Sequence, residues 1–294
     1  MSLGRYAAVL DAVRGLGWPA LRRVRSAVPG PHVSTVRGTT AEFVEYRPYR
    51  QGDEPRRIDW KLLARTDRVH VRLSQERAIL PSMIVLDASE SMAFPKPAHA
   101  KYELARQLAI GLAAVARHRG DPVGLAVAAP AGTVTVAPRT RRTVLDEMMR
   151  AVDGEPGGSA SLAPALAEAA RRATRVVLVS DFLDEDPAWL ARARAFAAAG
   201  GELYAVHVID PQELDPGHAR RLVADPEAPE MRRPLSPAAR AEYVRRFSAW
   251  RAELARDVRA MGAVYAAAVP GEEPLRQTIR RITTPQQGAR SAAR

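Results

Sequence analysis

The chain of 294 residues contains no cysteine. This removes disulfide frameworks, thiolate zinc sites and cysteine nucleophiles, and it permits a reducing compartment. Lysine is almost missing too: Lys61, Lys96 and Lys101 are the only three, so 41 of the 44 basic residues are arginine. None of the three closes a G-x-x-x-x-G-K phosphate loop, so ATP hydrolysis by this chain alone is not expected. An H-x-x-x-H pair with a glutamate and a G-x-S-x-G elbow are also absent, which leaves zinc-peptidase and serine-hydrolase chemistry unsupported. Long apolar runs are lacking as well. The longest charge-free stretches, around Leu108 to Ala116 and Val123 to Pro138, fall short of the ~20 apolar residues a spanning helix needs. Asp11 and Arg14 interrupt the N-terminal stretch before a signal-peptide core can form. The expectation is a soluble, cytoplasmic protein.

What is present points to a globular chain. Hydrophobic residues make up 47% of it, ample for a core, and its length suits roughly two domains or one large α/β domain with an appendage. The formal charge is +11, of which residues 1–78 carry +7 and the remainder +4. Neither a nucleic-acid motif nor basic residues interleaved with aromatics accompany that charge, so no nucleic-acid partner is expected. An acidic protein surface is the complement it suggests.

Residues 3–27 read as helical, with an interruption from Gly17 to Pro19. From Val33 to Ser74 the pattern is Arg-dense and β-rich: EFVEYRPY and RVHVRLSQE alternate like strands around a short helix, IDWKLLART. From Ile79 onward strands and helices take turns. SMIVLDAS, VGLAVAA, RVVLVSD, ELYAVHVID and AVYAAAV read as buried strands, and helices of 10 to 20 residues follow most of them. This alternation predicts a doubly wound α/β domain with a mostly parallel sheet covered on both faces. The expected division is 1–78, an N-terminal helix plus the β-rich segment, and 79–294, the α/β domain. Within the latter, residues 213–262 add a hairpin with its turn near Pro226 to Pro229, then a long helix capped by Ser236 and Pro237. On that helix Tyr243, Phe247, Trp250, Leu254, Val258 and Met261 form an apolar stripe, read as core.

The chemistry gathers after the strands. In DASES, Asp87, Ser89 and Ser91 stand at alternate positions directly behind the first buried strand. Open parallel sheets bind ligands beyond the carboxyl ends of their strands, where strand order reverses. One carboxylate and two hydroxyls are hard oxygen donors suited to Mg²⁺. GGSAS offers Ser159 and Ser161 ahead of a helix, and SDFLD offers Asp181 behind another strand. The three loops together read as one divided metal site, while Glu90 reads as solvated. His70 and His207 read as structural.

DASES, GGS and VSDFLD, in this order and on these elements, resemble the metal-ion-dependent adhesion site of von Willebrand factor A domains. The resemblance implies that Ser89 and Ser91 coordinate Mg²⁺, that Asp87 and Asp181 act directly or through water, and that a hydroxyl from the GGS loop completes the set. The family places threonine there; this chain has serine, Ser159 or its competitor Ser161. Upstream, Arg47, Tyr49, Gly52, Asp53, Arg56, Arg57, Ile58, Asp59, Trp60, Ala64 and Arg65 resemble the signature R-x-Y-x-x-G-D-x-x-R-x-I-D-W-x-x-x-A-R of the bacterial domain-of-unknown-function-58 family. The likeness spans roughly residues 30 to 285. It implies a non-enzymatic, Mg²⁺-dependent interaction module acting with a MoxR-type AAA+ ATPase, or with a client that presents an acidic residue, in a chaperone-like or metal-insertion system. Arg56, Arg57 and Arg65 are the candidate partner contacts, while Asp59 and Trp60 are assigned to a turn with local ion pairs and a buried aromatic that locks the small segment onto the α/β domain. The alternative is a metal-dependent phosphate-ester hydrolase built on Asp87 and Asp181. It has against it the hydroxyl-rich ligand set and the want of an identifiable base.

Overall fold

The computed structural model describes residues 2–21, 29–33, 43–51, 53, 55, 58–74, 77–184, 186–217, 222–224, 232–234 and 236–284. The chain forms two compact units, Pro19–Leu80 and the combination of Met1–Trp18 with Pro81–Arg294.

Helix α1 (Ser2–Ala12) opens the chain and belongs to the larger unit. The sequence reading attaches this helix to the segment ending at residue 78. Its buried side chains Tyr6 and Val9, with Val13 just beyond its end, show why the packing is otherwise: they recur at helical spacing and pack it against helices of the α/β unit. The helix also ends at Ala12, earlier than the reading of 3–27 suggests.

The smaller unit contains β1 (Pro29–Val33), β2 (Phe43–Pro48), α2 (Trp60–Thr66), β3 (His70–Ser74) and β4 (Arg77–Ala78). Strand β2 runs antiparallel to β3 and β1 antiparallel to β4. Asp59 holds this unit together. Its carboxylate accepts the Lys61 and Leu62 backbone N–H groups at 3.0 Å, capping α2, and accepts the Tyr46 hydroxyl at 2.9 Å. Arg47 pairs with Asp53 at 2.7 Å, and the Arg50 N–H donates to the same carboxylate. Trp60 departs from its assigned role: it is 63% exposed, because it stands at the first position of a seven-residue helix that buries none of its residues.

The larger unit continues with β5 (Ser82–Asp87), a 3₁₀ turn (Glu90–Ala93), α3 (Ala100–His118), β6 (Val123–Ala129), β7 (Gly132–Arg139), α4 (Thr143–Val152), α5 (Leu162–Arg172), β8 (Arg175–Ser180), α6 (Ala188–Ala198) and β9 (Glu202–Val208). A short α7 (Pro211–Leu214), the antiparallel pair β10 (Leu222–Ala224) and β11 (Arg232–Pro234), α8 (Pro237–Ala260), β12 (Val264–Ala268) and α9 (Leu275–Thr283) complete it. The expected hairpin is present in β10 and β11; its turn lies outside the described residues.

Six strands form one sheet in the order β12-β9-β8-β5-β6-β7, parallel throughout except for the β6–β7 pair. Helices cover both faces, as the alternating sequence pattern predicts. Met83, Val85, Val176, Leu178, Leu203 and Ala205 pack with side chains from α5, α6 and α8. The alternate residues Ile84, Leu86, Val177, Val179 and Val206 are buried as well. On α3, Gly111 allows a close approach: a Cβ there would lie 2.4 Å from Ile279 of α9 and 3.5 Å from Val9 and Val13. The apolar stripe of α8 divides. Leu254 and Val258 reach the core and Trp250 and Met261 pack against it, whereas Tyr243 and Phe247 continue the aromatic stack along the helix, with ring centres 5.7 Å apart and Phe247 5.5 Å from Trp250. The Tyr243 hydroxyl donates to the Glu213 carbonyl at 2.8 Å.

One feature of the topology places the site. From β5 the chain crosses through α3 to β6 on one side, and later returns to β8 on the other. Strand order therefore reverses at β5, whose last residue is Asp87.

Candidate metal centre

Asp87 is 3% exposed and anchors the first loop. One carboxylate oxygen accepts the Ser89 N–H at 2.9 Å; the other accepts the Ser180 hydroxyl, from the end of β8, at 2.5 Å. Ser180 Oγ in turn accepts the Phe182 N–H at 2.8 Å, so the ends of β5 and β8 are tied through one hydroxyl. The Ser89 and Ser91 hydroxyls lie 3.0 Å apart. The two hydroxyls share a hydrogen bond, whose length also matches the about 2.9 Å between neighbouring ligands of an octahedral Mg²⁺ with bonds of about 2.0–2.1 Å.

The second loop is stitched to the first by three hydrogen bonds: Gly157 N–H to the Ala88 carbonyl at 3.0 Å, Glu90 N–H to the Gly158 carbonyl at 2.9 Å, and Gly158 N–H to the Glu90 carboxylate at 3.2 Å. Glu90 is therefore not a solvated bystander. It bridges the two loops and pairs with Lys96, whose hydrogen bond outweighs burial and holds the carboxyl below its ordinary pKa. Glycine is required at 158 on two counts: its φ is +64°, and a Cβ would meet Pro130 at 2.8 Å. Ser159, next in the chain, is exposed. Ser161 is engaged elsewhere: it caps α5 by accepting the Ala163 N–H at 3.3 Å and lies 3.5 Å from Asp186.

The third loop brings Asp181, 2% exposed, next to Asp87. Burial first, and repulsion from Asp181 second, push the Asp87 carboxyl up to about 6 against the hydrogen bonds from Ser180 and Ser89. One oxygen of Asp181 accepts the Leu183 N–H at 3.2 Å, and the other pairs with Lys101 at 2.6 Å. Lys101 has no exposed surface and also pairs with Glu213 at 2.6 Å. Burial works against its ammonium, but the Asp181 and Glu213 carboxylates together hold its pKa above the ordinary lysine value. Glu213 is itself locked in a capping box, accepting the Asp210 N–H at 2.8 Å. Sequence reasoning missed Lys101 and Glu213. A lone lysine within an arginine-rich chain, in the first turn of the helix behind DASES, was the available signal.

Phe182, between Asp181 and Leu183, has φ +57° and packs on Trp189 and His207. His207 is 1% exposed, bonds the Tyr265 hydroxyl at 2.7 Å, and is held neutral by burial, with its pKa lowered to about 3.

The structure thus brings Asp87, Ser89, Ser91 and Asp181 into one neighbourhood at the carboxyl edge of β5 and β8, and fixes the loop bearing Ser159 against DASES. Their donors are hard oxygens, and the buried, mutually repelling carboxylates suit a hard divalent cation. No group of three or more His, Cys, Asp or Glu side chains able to hold a metal occurs among the described residues. Arg65 is exposed in the last turn of α2; Arg56 and Arg57 lie outside the described residues.

A doubly wound sheet with hydroxyl and carboxylate loops at its switch point defines a class of α/β protein whose ligand site lies outside the central strand. Within that class, the chain belongs to the family described as protein of unknown function DUF58, whose sequence model matches residues 45–253. It is similar to an uncharacterized protein of Mycobacterium tuberculosis, 29% identical over 287 residues that cover 95% of this chain and 90% of that one. Among solved structures, BatB from Bacteroides thetaiotaomicron is similar at a TM-score of 0.44 and 17% identity, over 69% of this chain and 98% of its own. The SpRpn10 VWA domain gives 0.40 and 12%, over 68% and 94%. Proximal thread matrix protein 1 from the mussel byssus, in a structure with a zinc-occupied MIDAS motif, gives 0.36 and 14%, over 44% and 38%. Among the described residues no helix is long and apolar enough to cross a membrane.

Proposed function

We propose that this protein is a non-enzymatic interaction module that binds its partner through a Mg²⁺ ion. The observation that carries this reading is the meeting of three separate loops at the switch point, with two hydroxyls at ligand spacing beside two buried carboxylates. Ser89, Ser91, Asp87 and Asp181 hold the ion, directly or through water. Ser159 supplies the remaining hydroxyl, since the Ser161 oxygen is occupied in capping α5. When bound, the ion supplies a positive centre with an open position for a partner's carboxylate, a charge-assisted contact. The partner is a MoxR-type AAA+ ATPase, or a client protein presenting an acidic residue, and the arginines of the family signature, Arg56, Arg57 and Arg65, add contacts to its acidic surface.

The test is co-purification of the candidate ATPase with this protein in Mg²⁺ and in EDTA, for wild type and Asp87→Ala. Capture in Mg²⁺, lost in EDTA and lost in the variant, is expected. Capture that persists in EDTA refutes the reading.

A further inference from the structure

The sequence and family resemblance account for the loops but not for the buried cation behind them. Lys101 is fully buried, yet it makes no hydrogen bond to the hydroxyl loop; its ammonium bridges Asp181 and Glu213 at 2.6 Å each. It comes from the first turn of α3, Asp181 from the loop after β8, and Glu213 from α7. Both carboxylates are held by a further hydrogen bond, and the ammonium faces an aromatic ring. Asp181 turns its second oxygen to the Leu183 N–H, Glu213 turns its second oxygen to the Asp210 N–H, and the Lys101 ammonium lies 5.9 Å from the centre of the Phe94 ring. The ammonium therefore cannot swing away as a surface lysine would, and its charge is a fixed part of the site. It consumes one of the two Asp181 oxygens and offsets one of the two carboxylate charges beside the hydroxyl pair.

We propose that Lys101 is a built-in counter-cation that sets how strongly the site holds its metal: by neutralising Asp181 it keeps the loops from saturating a bound ion with negative charge, leaving that ion electropositive enough to need a partner's carboxylate. This rests on the reading of the loops as a divalent-cation site. Glu213 tunes the effect from the far side by sharing the ammonium. Electrostatics then gives the two residues opposite influence. Removing the Lys101 charge makes the site more negative and tightens metal binding; removing the Glu213 charge commits the ammonium to Asp181 alone and weakens it.

The experiment is calorimetric titration of the full chain with Mg²⁺, for wild type, Lys101→Met, Glu213→Gln and Asp87→Ala, each checked for folding by circular dichroism. Lys101→Met is expected to tighten Mg²⁺ binding by about tenfold, Glu213→Gln to weaken it severalfold, and Asp87→Ala to abolish it. A merely structural role for the triad predicts weaker binding in both Lys101→Met and Glu213→Gln, and that outcome, or affinities within twofold of wild type, overturns the proposal while leaving the metal site standing. If wild type binds no Mg²⁺ but Lys101→Met does, the counter-cation role is supported. Absence of binding in every variant sinks the metal site itself. Should Lys101→Met fail to fold, Lys101→Gln, which removes the charge but keeps a donor for Asp181 and Glu213, takes its place: tighter Mg²⁺ binding supports the proposal, and weaker or unchanged binding overturns it.

Discussion

Strand β8 begins at Arg175 and ends at Ser180, and a buried ionic cluster sits at each end of it. At the amino end the Arg175 guanidinium pairs with Glu202 at 3.1 Å and lies 3.9 Å from Asp121; it also lies 4.4 Å from the centre of the Trp18 ring and 5.8 Å from that of Tyr204. All of these side chains are buried. At the carboxyl end Lys101 meets Asp181 and Glu213, with Asp87 close by and hydroxyls opening toward solvent. The first cluster uses a planar cation packed against the edge-to-face pair of Trp18 and Tyr204, in a fully buried setting with no room for a ligand. The second uses a point charge and leaves the half-buried Ser89 and Ser91 hydroxyls beside the buried Asp87. One end of the sheet is a clasp for the N-terminal segment bearing Trp18, and the other is a socket. The two share the strand but not the task.

That contrast can be broken at either end. Arg175→Met strands two buried carboxylates and removes the platform under Trp18, so urea unfolding should show a loss of about 3–5 kcal/mol, equal in Mg²⁺ and in EDTA. Dependence on Mg²⁺ would mean the two ends are coupled after all. Asp87→Asn should behave in the opposite way. It removes a carboxyl that burial keeps near 6, so the metal-free protein keeps its stability, while the Mg²⁺-dependent gain, about 2.7 kcal/mol at a hundred times the dissociation constant, disappears from melting curves.

His207, paired in register with Ser180 at the socket end, gives a pH test. In the fold its pKa is lowered to about 3, by burial first and then by Arg251 and Lys101, while the unfolded chain takes up a proton near 6.5. Its contribution is therefore complete above pH 6.5 and is lost as the pH falls toward 3, at about 1.4 kcal/mol per pH unit. His207→Phe should flatten the acid limb of stability measured by denaturant unfolding. The smallest effect expected is Ser161→Ala, about 1 kcal/mol from the lost cap of α5 with Mg²⁺ affinity intact in calorimetry, whereas Ser159→Ala should weaken Mg²⁺ and spare stability.

The socket's loops were legible in the sequence because their signals are local. A buried strand ending in polar residues announces a sheet edge, so Asp87, Ser89, Ser91 and Asp181 were readable from DASES and SDFLD, and the Ser236 and Pro237 start of α8 from capping chemistry alone. The clasp and the counter-cation were not. Lys101 and Glu213 are 112 residues apart, and periodicity reports which face of a helix is buried but not which charge it meets there. Glu90 misled for a related reason: beside polar neighbours it reads as solvated, and only the close approach of Gly157 and Gly158 turns it inward. The N-terminal helix misled because its apolar face fits any helical surface, and adjacency in sequence gave the wrong one.

The wide spacing of the socket's parts bears on when it can exist. Asp87 reaches Ser180 across 93 residues, Lys101 reaches Asp181 across 80, and Glu213 joins from farther still. No hairpin or helix pair contains the set, so it forms only as β5, β8 and the chain beyond β9 come together, a late event where long loops must close first. Under the proposed reading an ion held there would act after the folding barrier is crossed, so Mg²⁺ is expected to slow unfolding and leave the refolding rate unchanged, a seal on a finished chain.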